Sequence, residues 1–253
     1  MYAFKTLLIL GETGTGKSSL CNRLAGLDAS SDRFPVSSDT NSCTQTTVFQ
    51  NIPFGGDEGK YVTAIDTMGF DDPKKDIDFD VIAKFIASLK RRCYAVNVFG
   101  ITINGMEPRL DGPLVEMLTL CEEMFGDIFW KQCCLIFTKT PMGAAIKKKR
   151  EKNRKMSDQA FANKFVNDLV IRLPKATNKV PYVFLDSWFE EFEEETDNDE
   201  KECYMKSFDT IRNLLNNSGK LLTSKINENI KPERKELKRK IAEEAKKIDN
   251  LWL

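Results

Sequence analysis

Short apolar runs alternate along this chain with segments whose apolar residues recur every three or four positions. The apolar runs predict strands at Thr6–Leu10, Thr47–Ile52, Tyr61–Ile65, Tyr94–Ile103, Gln132–Thr138 and Tyr182–Leu185. Between them, helical periodicity predicts helices at Ser18–Ala25, Ile77–Arg91, Leu114–Phe125 and Asp158–Leu173. Strands alternating with helices form a mostly parallel sheet covered on both faces, so the expected fold is α/β with a six-stranded sheet flanked by helices. Pro174 and Pro181 bracket a loop before the last strand. From Ser207 onward the pattern reads as helical with a break near Pro232. Leu237, Ile241, Ala245 and Ile248 lie near one stripe of an otherwise charged segment. That stripe suits packing back on the domain, pairing with another helix, or lying on a membrane surface beside Trp252 and Leu253. The organisation expected is one domain over residues 1–205 and a helical extension over 206–253.

Between the first strand and the first helix stands Gly11-Glu12-Thr13-Gly14-Thr15-Gly16-Lys17-Ser18, a complete G-x-x-x-x-G-K-[ST] phosphate loop. Glycines let backbone N–H groups turn inward around an oxyanion, and the following helix directs its positive end at the same point. Gly14, Thr15, Gly16, Lys17, Ser18 and Ser19 are therefore candidate phosphate-binding residues, with Lys17 on the outer phosphates and the Ser18 hydroxyl on Mg²⁺. Glu12 and Thr13 fill the variable part of the loop and could also touch a partner. The third strand ends in Asp66-Thr67-Met68-Gly69. This D-x-x-G suits a carboxylate behind Mg²⁺ and a glycine N–H facing a γ-phosphate, although an aspartate there can also simply end a strand. Between the two motifs, Ser42-Cys43-Thr44-Gln45-Thr46-Thr47 offers Thr44, with Thr46 in reserve, as the hydroxyl that reaches Mg²⁺ when the segment is ordered.

Composition narrows the chemistry. There are 38 basic and 38 acidic residues among 253, so no net charge argues for nucleic-acid binding. Charge is segregated into a basic stretch from Lys147 to Lys155 and an acidic one from Glu190 to Glu202, which read as solvated faces. The chain contains no histidine, which removes histidine metal sites and histidine-activated nucleophiles. Seven cysteines without a pairing framework, and no signal sequence, lead to an expectation of free thiols in a cytoplasmic setting. No apolar run approaches the roughly 20 residues that span a bilayer.

The segments GETGTGKSSLCNRL, SCTQTT, IDTMGFDD and the block from Arg109 through EMLTLCEEMFGDIFWKQCCLIFTKT, over residues 6–140, resemble the avirulence-induced-gene type of GTPase, also called the immunity-associated (IAN or GIMAP) family. The resemblance implies a P-loop G domain related to septin-like and chloroplast-import-receptor GTPases. It further implies Mg²⁺ with GTP or GDP as ligand, nucleotide-controlled dimers or oligomers, and a C-terminal helical extension or membrane anchor. It places an arginine acting in trans at Arg109, whose other reading is a surface arginine capping a loop, and the second base-reading loop at Asp186; Trp188 nearby either flanks the base or is a packed aromatic.

Two departures from G-domain patterns stand out. Guanine is usually selected by [NT]-K-x-D, whereas this chain has Thr138-Lys139-Thr140-Pro141. Lys139 can still lay its stem along a base, but the carboxylate must come from elsewhere, and Asp186 is the candidate; an ordinary turn cap is its other reading. Phe70 follows Gly69 where Ras-like enzymes carry a water-orienting glutamine, so an isolated subunit should hydrolyse GTP no faster than about 10⁻³ per second. The leading reading is a slow GTPase that switches assembly. A P-loop ATPase or nucleotide kinase, favoured by Pro141, and a nucleotide-bound scaffold with incidental hydrolysis are the alternatives.

Overall fold

The computed structural model describes residues 4–36, 47–68, 79–177, 179–188, 198–227, 241 and 243–248. Strands β1 (Lys5–Gly11), β2 (Val48–Pro53), β3 (Tyr61–Asp66), β5 (Val98–Asn104), β6 (Cys133–Thr138) and β7 (Tyr182–Phe184) form one six-stranded sheet in the order β2-β3-β1-β5-β6-β7. Only β2 runs antiparallel, against β3. The other neighbours are parallel, so five strands deliver their carboxyl ends to one edge of the molecule. In open sheets of this kind ligands bind beyond that edge.

Alternation along the central strands sorts the core into two layers. Leu8 and Leu10 of β1 face the larger apolar cluster, and Leu7 and Ile9 face the smaller. Helices α2 (Phe79–Arg92), α3 (Gly112–Phe125) and α6 (Asp158–Arg172) contribute Phe85, Leu118 and Phe165 to the first layer. Helices α1 (Lys17–Leu24) and α7 (Asn198–Asn217) contribute Leu20, Phe208 and Ile211 to the second. The short α4 (Ile128–Lys131) buries Phe129 against Phe99 and Trp130. Buried on both faces, β1, β5 and β6 are near-continuous apolar runs, as parallel central strands must be.

The expected strand Tyr94–Ile103 is interrupted at Asn97. Its first part, β4 (Ala95–Val96), pairs antiparallel with β8 (Leu221–Leu222) outside the main sheet. The physical reason is a buried amide: Asn97 Oδ1 accepts the Thr6 N–H at 2.9 Å and Nδ2 donates to the Gly219 carbonyl at 2.8 Å. Helix α7 starts earlier than Ser207 and ends at Asn217, so the continuous helix expected from Ser207 is replaced by β8 and a tight turn. Tyr204, Phe208, Ile211 and Leu215 form its buried stripe, and the helix runs through the expected 205/206 boundary. Within the expected C-terminal helix, residues 241 and 243–248 are helical, Ile241 is buried in the larger cluster, and Ala245 and Ile248 pack against it. Leu237 lies outside the described residues. The basic stretch Lys147–Lys155 mostly belongs to an additional helix, α5 (Ala144–Arg154), whose one buried residue is Arg150. A helix that buries a charge has no apolar periodicity to betray it. The six described cysteines are free, and five are buried.

Candidate functional site

The phosphate loop forms the turn from β1 into α1. Gly16 caps α1 at φ 84°, in the left-handed region that glycine alone adopts without strain. Gly11 is needed for space: a side chain there would run into Thr102 Oγ1 on β5. The loop is tied down by hydroxyls. Thr15 Oγ1 donates to the Glu12 carbonyl at 2.8 Å and lies 2.7 Å from Thr102 Oγ1. Lys17, buried despite its charge, donates from Nζ to the Gly11 and Glu12 carbonyls at 3.0 and 2.8 Å. Its ammonium is thus held across the mouth of the loop. Thr15 and Ser19 are buried, whereas Thr13 and Gly14 are exposed.

Asp66, at the carboxyl end of β3, is fully buried, and its Oδ2 accepts the Ser18 hydroxyl at 2.6 Å. Its other oxygen, Oδ1, is buried with no hydrogen-bond partner. Burial pushes the carboxyl up to about 6, against the opposing pull of the Ser18 hydrogen bond and the Lys17 charge. A buried carboxylate with one unpartnered oxygen beside a hydroxyl is a set of hard oxygen donors suited to Mg²⁺, which commonly takes one or two protein ligands and completes its shell with phosphate and water. The residues therefore fit that ion. Thr67 Oγ1 anchors the chain beyond Asp66 by donating to the Ile9 carbonyl at 2.7 Å. Thr44 and Gly69 lie outside the described residues. Asn22 of α1 ties down the chain that follows the helix, donating to the Ser31 and Phe34 carbonyls and accepting the Phe34 N–H.

The far end of the site is made by the segments after β6 and β7. Thr138 Oγ1 lies 2.5 Å from the Thr15 carbonyl and 3.0 Å from the Ile103 carbonyl, bolting the end of β6 to the phosphate loop. Lys139 takes a left-handed φ of 53°, uncommon for a residue with a side chain, and its Cε comes within 4.0 Å of where a Gly16 side chain would begin. Its stem is thereby laid over the loop. Asp186 follows β7; its Oδ1 accepts the Trp188 N–H at 3.0 Å. Partial burial raises its pKa, opposed by that N–H and by the charges of Arg23 and Arg150. Between them Ser187 Oγ is buried without a partner, while Trp188 is 58% exposed. Arg109, in the segment between β5 and α3, is exposed and pairs with Glu107 at 3.4 Å.

The expected phosphate and Mg²⁺ groups that are described are thus assembled together with Lys139. Asp186 stands beyond the neighbouring strand end, and Arg109 projects into solvent. Sequence reasoning read Thr138 only as the first position of the base-side motif and did not single out Thr102, Asn22 or the α5 arginines as parts of the site. Their types are common, and only tertiary contact reveals them. A cavity of about 280 Å³ lies behind this end, between α5, α6, β7 and α7, lined by Met142, Lys147, Tyr182 and Lys206.

Residues 6–124 match the family model of the 50S ribosome-binding GTPases. No curated protein sequence gives a match. Among solved structures, one concerning the importance of dimerisation for the GTPase activity of the chloroplast translocon components atToc33 and psToc159 aligns at TM-score 0.55 and 16% identity. It covers 84% of this chain and 82% of its own. Toc33 from Arabidopsis thaliana in complex with GDP and Mg²⁺ aligns at TM-score 0.54 and 18% identity over 87% of each chain. At these identities the likeness is one of fold. Among the described residues no helix is long and apolar enough to cross a membrane. The six-stranded sheet and the phosphate loop, with the match over residues 6–124, are those of the P-loop GTPase fold.

Proposed function

We propose that this chain is a guanine-nucleotide-binding GTPase of the avirulence-induced (immunity-associated) type, slow as a single subunit, whose GTP state drives dimer or oligomer formation. The observation that carries the proposal is the Ser18–Asp66 pair at 2.6 Å, with a buried orphan carboxylate oxygen beside a lysine-closed phosphate loop. In this reading the loop amides from Thr13 to Ser19 and Lys17 hold the phosphates, and Glu12 borders them. Ser18, Asp66 and Thr44 hold Mg²⁺. When bound, the ion supplies neutralisation of charge on the phosphate oxygens. Gly69 faces the γ-phosphate, Lys139 lies along the base, Asp186 accepts hydrogen bonds from its edge, and Trp188 flanks it. With Phe70 where a water-orienting glutamine would stand, the assistance comes from a second subunit. Exposed Arg109 is the proposed finger, stabilising charge that develops on the transferred phosphoryl group. The dimerisation named for the chloroplast translocon relatives supports this assembly reading.

The test is turnover per subunit as a function of protein concentration, with GTP and ATP compared at each. Turnover rising with concentration for GTP, and lost in Arg109→Ala, supports the switch. Constant turnover across a hundredfold range defeats the trans mechanism and leaves a nucleotide-bound scaffold. Pro141 in place of the usual aspartate favours a second reading: equal or better use of ATP would make this a P-loop ATPase.

A further inference from the structure

We infer that an Arg150–Asp158–Arg154 cluster is the positioning device for the base-side loop, setting affinity for the nucleoside half of the ligand without touching the phosphates; this rests on the reading of residues 138–141 as a base-contacting loop. Proline at 141 contributes no N–H, so its carbonyl is the main-chain group through which that residue can be held. Arg150 Nη1 donates to it at 2.6 Å. The remaining fork of the same guanidinium is bidentate on Asp158, Nε to Oδ1 at 3.0 Å and Nη2 to Oδ2 at 2.5 Å. Asp158 also accepts Arg154 Nη1 at 3.2 Å, and Arg154 Nη2 donates to the Gly105 carbonyl. Gly105 N–H in turn donates to the Thr138 carbonyl at 2.7 Å. The contacts form a closed circuit, Pro141 to Arg150 to Asp158 to Arg154 to Gly105 to Thr138, enclosing Lys139.

Three features show that this circuit is built for geometry. The Arg150 and Asp158 side chains are only 7% and 6% exposed, and a buried ion pair contributes little net stability compared with an apolar replacement. Its product is therefore fixed position. The fork is specific to arginine: a lysine ammonium cannot make two parallel bonds to a carboxylate and a third to a carbonyl in one plane. The acceptor side is also pre-set, because Asp158 sits at the start of α6 with its N–H donated to Glu151 Oε1 at 2.9 Å, and the Arg154 guanidinium lies 4.5 Å from the centroid of the Phe161 ring. Lys139 at φ 53° is an unfavourable backbone state that persists only when its flanks are held.

The experiment compares Mg²⁺-dependent binding of GDP and of inorganic tripolyphosphate to full-length wild type, Arg150→Lys, Arg150→Met and Arg154→Gln. Tripolyphosphate reads the phosphate loop alone, and GDP reads both ends. Arg150→Met is expected to weaken GDP about tenfold or more, Arg150→Lys by less, and Arg154→Gln by a few fold, with tripolyphosphate within about twofold throughout. Equal losses for both ligands would mean general destabilisation and overturn the inference, as would GDP affinity unchanged in all three variants. Should Arg150→Met fail to fold, Arg154→Gln keeps the Arg150–Asp158 pair and still decides the matter through the same ratio. If wild type bound a non-hydrolysable GTP analogue no better than tripolyphosphate, the base-loop reading itself would fail. If wild type gained from the base and the variants kept that gain, the clamp alone would be wrong.

Discussion

The two ends of the site are built by different means. The phosphate end is a single continuous stretch, Gly11 to Ser19, whose lysine and threonine bond its own carbonyls and which Asp66 of β3, Thr102 of β5 and Thr138 of β6 brace from outside. The base end is assembled from the segments after β5, β6 and β7 together with α5 and α6; its bonds join each segment to its neighbours, Arg150 to Pro141 and Trp188 to Asp186, with Arg154 reaching across to Gly105. The first is a local motif whose chemistry is carried by residue type. The second is joined from several segments, with position carried by the buried Arg150 and the partly buried Arg154. Phosphate binding should therefore survive changes that abolish base recognition, while the reverse should not hold.

Lys17→Ala tests the asymmetric half of that statement and has the largest expected effect. The ammonium is the one buried cation shown spanning the loop mouth, at 3.0 and 2.8 Å from two carbonyls. Its removal should weaken both GDP and tripolyphosphate about a thousandfold, since charged hydrogen bonds to two phosphate groups are lost together. Titration with a fluorescent guanine nucleotide, competed by tripolyphosphate, measures both. Loss of GDP alone would contradict the division.

Asp66 sharpens the comparison through pH. Its carboxyl is raised from 3.8 to about 6 in the native chain. Between those values the native state holds a proton that the unfolded state has released, so stability falls as pH rises through the window. At neutral pH the nucleotide-free chain is less stable than below the window by about 3 kcal/mol from this group, at about 1.4 kcal/mol per pH unit. Asp66→Asn should abolish that slope. The variant's own orphan amide costs the same at both ends of the range, so the slope is the informative quantity. Denaturant unfolding of nucleotide-free protein at about pH 4.5 and about pH 7.5 gives it, and equal slopes for wild type and variant would show that the buried carboxylate is already compensated.

Asp186→Ala addresses the base end directly. If this carboxylate accepts the guanine edge, its loss should reduce the GTP over ATP preference about a hundredfold while leaving tripolyphosphate untouched. Competition binding decides it, and a preference that survives would leave the aspartate as no more than the cap of the Trp188 turn.

The same division governs what could be read without coordinates. The strands β1, β3 and β6 were legible because central parallel strands are apolar at almost every position, and α1, α3 and α6 because their buried faces recur with helical period. The phosphate loop and Asp66 were legible because their chemistry is tied to spacing. The break at Asn97 was hidden inside an apolar run, since one amide bonded to Thr6 and Gly219 decides it. Helix α5 was hidden because its buried contact is a guanidinium, and a run of lysines and arginines reads as a solvated face. The Thr102 hydroxyl carries no signal until β5 brings it to the loop, and Thr138, legible as the first position of [NT]-K-x-D, gives no hint of its bond to Thr15.

Thr138 is where the two ends meet, and Thr138→Val has the smallest expected effect and the most direct bearing on whether they are coupled. The hydroxyl sits 2.5 Å from the Thr15 carbonyl in the phosphate loop and 3.0 Å from the Ile103 carbonyl, in a fully buried place. Valine keeps the shape and removes the bond, leaving a buried carbonyl short of a donor at a cost of about 1–2 kcal/mol. If the bolt merely holds β6 to β1, that cost appears as a lowered unfolding midpoint and binding is unaltered. If it transmits position, GDP binding weakens about threefold to tenfold, and combination with Arg150→Met gives less than the sum of the two changes, because both act on the same placement of Lys139. Additive losses would mean that the two ends are held independently, each by its own set of bonds.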